Sequence, residues 1–74
     1  MERSIIQRHF EQAMEHVLLG EIHVAGQRKR VATLERNGLD TARSRKLLAQ
    51  FEEIQALHVA DLDRLRHELE AAPS

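Results

Sequence analysis

The chain has 74 residues, no cysteine, two phenylalanines but no tyrosine or tryptophan, and a net charge of −1 from 11 basic and 12 acidic side chains. That length allows one small domain, whose core rarely supplies more than about 3–5 kcal/mol unaided, and the missing cysteines exclude a disulfide framework and any thiolate metal site. No apolar run approaches the ~18 residues of a membrane span, so a soluble, cytoplasmic protein is expected.

The amino-terminal stretch "MERSIIQRHFEQ" places charges among its apolar residues and has neither an apolar h-region nor a small-residue cleavage site, so no secretory leader is expected there. The remainder of the chain is built mostly from good helix formers, and the single proline is Pro73. A first helix is predicted over about 2–37, with "SIIQ" at Ser4–Gln7 as a capping box. The one clear break is "RNGLDT". Asn37-Gly38 tolerates the positive φ that ends a helix, and Asp40 suits the N-cap of the next. The turn is therefore placed at 37–40, the second helix at about 41–71, and the whole of 1–74 reads as a single helical hairpin.

Stepping by four and three from Ile6 gives Phe10, Ala13, Val17, Gly20, Val24, Gln27, Val31 and Leu34, a stripe that is apolar apart from Gly20 and Gln27. The same steps on the second helix give Leu48, Phe51, Gln55, His58, Leu62, Leu65, Leu69 and Ala72, apolar except for Gln55 and His58. A short connection makes neighbouring helices antiparallel. In that register Gly20 is expected opposite His58 and Gln27 one layer from Gln55, so Gly20, Gln27, Gln55 and His58 form a central polar layer that fixes pairing. The flanks should match as well: His9 with Glu68 and His16 with Asp61 on one side, Arg28 with Glu52 and Glu35 with Arg45 on the other.

Some apolar residues fall outside the two stripes. Met14, Leu18, Ile22 and Ala25 make a row on the first helix with Val59 beside them, and Leu47, Ile54 and Leu57 make one on the second. Apolar rows of this kind are unusual on a small monomer, and self-association into a four-helix bundle would cover them. The charge pattern suits such an assembly. Arg28, Lys29, Arg30, Arg36, Arg43, Arg45 and Lys46 against Glu35 and Asp40 give the turn region +5, while the rest of the chain carries −6. An antiparallel homodimer lays each basic turn on the acidic open end of its partner. With no aromatic or glycine-rich element beside the basic turn, that role is expected ahead of nucleic-acid binding.

The chain has five histidines. His9, His16 and His23 follow one flank at seven-residue intervals, about 10 Å apart and too far to chelate one ion together. The candidate metal ligands are instead His16, His58 and Asp61, which fall at nearly one level. Paired with Asp61 and Glu68, His16 and His9 would favour the charged imidazole, so a pH-responsive role is a second expectation. Neither a resident cofactor nor catalysis is expected: the hydroxyls Ser4, Thr33, Thr41, Ser44 and Ser74 sit in no nucleophile motif.

The features "H…GE.H…Q…V..L…G.DT" and "LL..FE…H" run through His16–Leu69, about three quarters of the chain. On them the sequence resembles a group of short bacterial proteins of unassigned function, and the resemblance implies a helical hairpin. Together the residues predict an all-α fold, a two-helix antiparallel coiled-coil hairpin that dimerises into a four-helix bundle and serves as a non-enzymatic protein–protein interaction module. A histidine-based metal or pH sensor, or a binder of anionic partners at the basic turn, are the alternatives.

Overall fold

The structure, a computed structural model, describes residues 2–73. Two helices account for nearly all of them: α1, Arg3–Arg36, and α2, Ala42–Ala71. They form an all-α hairpin measuring 57 × 14 × 13 Å. No described helix is long and apolar enough to cross a membrane.

The turn follows from the chemistry of a few residues. Gly38 takes φ +68°, the left-handed conformation that suits a residue without Cβ. Its N–H donates to the Glu35 carbonyl at 3.1 Å while the Leu39 N–H donates to the Leu34 carbonyl at 2.9 Å. This pair of bonds is a Schellman closure and satisfies carbonyls that the helix end would leave free. Asn37, by contrast, keeps a negative φ of −91°. The N-cap of α2 is Thr41 and not Asp40, and the Thr41 side chain makes no capping bond; Asp40 Oδ1, one residue earlier, accepts the Ala42 N–H at 3.0 Å and so satisfies an orphan donor of the helix start.

At the start of α1 the expected capping box does not form, because the helix begins before Ser4. The hydroxyl of Ser4 donates to Glu2 Oε1 at 3.0 Å, and Gln7 donates forward to Glu11 Oε1 at 3.2 Å rather than back to the first turn. The open end of the hairpin is closed from across the seam. Arg3 Nη1 donates to the carbonyl of Leu69 at 2.7 Å and to that of Ala72 at 3.4 Å. A cation thus caps the carbonyl-rich end of α2, where the helix dipole favours positive charge.

All nine positions stepped from Ile6 on the first arm of the hairpin, and all eight stepped from Leu48 on the second, are buried or half-buried. The most enclosed apolar residues are Ile6, Ala13, Val24, Val31 and Leu65. The core is thin: among the described residues no large side chain is fully buried, as expected of two helices that can cover each other on one stripe only.

The polar residues on the seam are arranged differently from the central layer expected of them. Gly20 faces Gln55 and not His58. Gln55 Nε2 crosses to the carbonyl of Val17 at 2.9 Å, and a Cβ added at Gly20 would fall on Gln55 Oε1. Gln27, only 7% exposed, donates its amide to the Ser44 carbonyl at 3.0 Å, close to the turn, and so does not share a layer with Gln55. A long amide reaches one turn along the partner helix, and the closest backbone acceptor decides where it settles. His58 is displaced toward the flank, where it meets His16.

Candidate functional site

The two flanks of the seam make two different surfaces. On one, Arg28 bonds Glu52 at 3.0 Å and Arg45 pairs with Glu35, so both expected cross-helix ion pairs are present. Each is exposed and contributes only about 0–1 kcal/mol, so their effect is mainly on register. Between them and the open end lies a broad groove whose walls include Glu21, Val24, Ala56, Val59 and Ala60. Met14, one heptad before Glu21, belongs to this side, with Leu18 and Ala25 next to it and Ile22 at its outer edge. All are exposed, Ile22 at 65%.

The opposite flank carries the histidines. The rings of His16 and His58 stand with centroids 5.3 Å apart and planes inclined 44°, and those of His23 and Phe51 with centroids 6.0 Å apart. Together with Leu19, Gly20, Ile54 and Gln55 they line a recess of about 260 Å³. Leu47, Ile54 and Leu57 are exposed, Leu57 at 68%. Leu19, 47% exposed, joins them. The apolar rows expected from the sequence do not include it, although it shares a face with His23 four residues on. Gln55 Oε1 is buried against Gly20 with no hydrogen-bond partner.

The expected pairs of His9 with Glu68 and His16 with Asp61 are replaced by ion pairs within α2. Arg64 donates to Asp61 Oδ1 at 2.6 Å and to Glu68 Oε1 at 2.9 Å. Its pKa is raised, first by the hydrogen bond to Asp61 and then by the charge of Glu68. The reason is local geometry: Asp61 and Glu68 stand three residues before and four residues after Arg64, on one helix face, and a guanidinium is charged at every physiological pH. The spacing was legible in the sequence. Asp61 is thus paired with Arg64 and not grouped with His16 and His58 as the expected metal set requires, and among the described residues no three His, Asp or Glu side chains are placed to hold one ion.

Around the turn, Arg28, Lys29, Arg30, Arg36, Arg43, Arg45 and Lys46 are all exposed. Arg28 and Arg45 hold the carboxylates named above, and Arg36 donates to the Thr33 hydroxyl at 3.2 Å. Lys29, Arg30, Arg43 and Lys46 form no ion pair with a described residue, so the positive charge of this end faces solvent. Among the hydroxyls, Ser4 bonds Glu2, Thr33 accepts from Arg36 and Thr41 accepts from Arg45, while Ser74 lies outside the described residues.

No family model, curated protein or solved structure matches this chain, and nothing places it in the group of short bacterial proteins expected from the sequence.

Proposed function

We propose that the protein is a non-enzymatic protein–protein interaction module that acts as a homodimer, two hairpins forming a four-helix bundle through the side that carries Met14, Leu18, Ile22, Ala25 and Val59. The observation that carries this reading is the row itself. Met14, Leu18, Ile22 and Val59 are 43–65% exposed beside an open groove, in a chain whose own core is thin. Covering such a row with a second copy removes apolar area from water at about 25 cal/mol per Å².

Charge selects the arrangement. With the copies running in opposite directions about a two-fold axis near the middle of α1, Met14 falls over Ala25 of the second copy and Leu18 over its Ile22. Arg28 then approaches Glu11 of the second copy, and the free cations at the turn meet the acidic open end. The alanines at 49, 56 and 60 let the second helices approach closely. The side with Leu47, Ile54 and Leu57 stays open, which leaves the dimer able to carry a further protein partner.

Sedimentation equilibrium at micromolar concentration tests the proposal. A mass of twice the 8.5 kDa chain, reduced to one chain by Leu18→Glu with unchanged helicity, is the expected result. A clean monomer in the unaltered protein overturns it.

A further inference from the structure

His16 and His58 face each other across the seam with ring centroids 5.3 Å apart. In a tetrahedral site with metal–nitrogen bonds of about 2.0–2.1 Å, each ring centre stands about 3 Å from the metal, and two ring centres are therefore about 5 Å from each other. The hairpin already holds this pair at that spacing. One ring comes from each helix, so an ion between them would bridge α1 and α2.

No positive side chain stands at the pair to oppose an ion. Both rings line the histidine-side recess together with Leu19, Gly20, His23, Phe51, Ile54 and Gln55, and neither Lys nor Arg contributes to it. The nearest carboxylate expected from the sequence, Asp61, is occupied by Arg64. The recess is open at its mouth, where further ligands of the ion would sit. His23 is about 10 Å further along α1 and stacks near Phe51, so it is not a third ligand.

We propose that His16 and His58 form a two-imidazole site for a divalent transition-metal ion, Ni²⁺, Cu²⁺ or Zn²⁺, with water or donor atoms of a bound molecule in the remaining positions. Neutral imidazole favours these ions, whereas Mg²⁺ and Ca²⁺ take oxygen ligands. With only two protein ligands the ion is exchangeable and its open positions are the ones that would engage a donor group. The site lies within one hairpin and does not rest on the dimer.

Calorimetric titration of the untagged full chain at pH 7.5 with Ni²⁺, Cu²⁺, Zn²⁺ and, as control, Mg²⁺ tests the site. One transition-metal ion per chain and no Mg²⁺ binding are expected. His16→Gln and, separately, His58→Gln should each weaken binding at least tenfold, while His9→Gln and His67→Gln, at exposed positions outside the recess, leave it unchanged. His16 is exposed, so its variant keeps the fold, which far-UV circular dichroism verifies. Absence of binding in the unaltered chain, or undiminished binding in folded His16→Gln, overturns the assignment. Sedimentation of the same samples reports the dimer separately.

Discussion

Gln55 donates its amide to the carbonyl of Val17 at 2.9 Å and rests its own Oε1 against Gly20, so the one glycine on the seam is matched to a side chain that crosses it. A glycine inside a helix costs about 1 kcal/mol relative to alanine, and here that cost makes room for the amide. Gly20→Ala should therefore lower stability in the unaltered chain, because the new methyl displaces Gln55 and breaks its hydrogen bond. In a Gln55→Ala background the same change should raise stability by about 1 kcal/mol. A coupling of about 1–2 kcal/mol in urea unfolding at one fixed protein concentration is the expected result. Additivity within about 0.5 kcal/mol would show that the two residues do not constrain each other.

The stripe that meets across the hairpin was legible because a period of about 3.5 residues assigns a face without reference to any partner, and Gly38 and Asp40 mark the turn by backbone chemistry alone. Which residue meets which was harder to read. The stepping rule places Gly20 near both Gln55 and His58, one turn apart, and a long amide chooses between them by the carbonyl it can reach. The histidine flank departs from expectation for another reason. Pairing His16 with Asp61 across the seam ignores Arg64, which stands at helical spacing from Asp61 and Glu68 and holds both. The recess formed by His16, His58 and Phe51 emerges only once those side chains have settled.

The other two glycines should respond in opposite directions. A Cβ at Gly26 meets nothing within 4 Å and the residue lies in mid-helix with ordinary φ, whereas Gly38 holds φ +68°. Gly26→Ala is expected to raise stability by about 0.5–1 kcal/mol. Gly38→Ala should lower it by about 1–2 kcal/mol, the cost of a left-handed residue with Cβ. Thermal melts of the two variants check the pair, and a common sign would contradict it.

Arg64 carries a consequence for pH dependence. Its pKa is raised above the usual guanidinium value by Asp61 and Glu68. A raised folded-state value means that the charged form contributes stability fully below the unfolded value and loses it only as pH rises through the raised one. The loss lies far above neutrality. Arg64→Gln should thus lower the melting temperature by the same amount at pH 6 and pH 9, and by less in 1 M salt, since Arg64 and Asp61 are exposed, Glu68 is half-buried and solvent screens the trio. A deficit that grows or vanishes between those two pH values would show that another ionisation governs these contacts.

The direction in which two copies pair can be read with a single label, because the chain has no cysteine of its own. Leu39 is 57% exposed at the turn and makes a suitable site for Leu39→Cys carrying a nitroxide. Copies running in opposite directions place their turns at the two ends of a bundle about as long as the hairpin, 57 Å. Copies aligned with the turns together bring the labels to the same end, where the cations at Lys29, Arg30, Arg43 and Lys46 would face one another. Mutual repulsion makes that alignment unfavourable at low salt, whereas the opposed alignment sets these cations beside the acidic open end. Double electron–electron resonance should accordingly give a label separation on the order of 50 Å, the length set by about 34 helical residues at 1.5 Å each. A short separation, within about two helix diameters of 10–12 Å each, would mean that apolar contacts override the charge asymmetry and orient the pair.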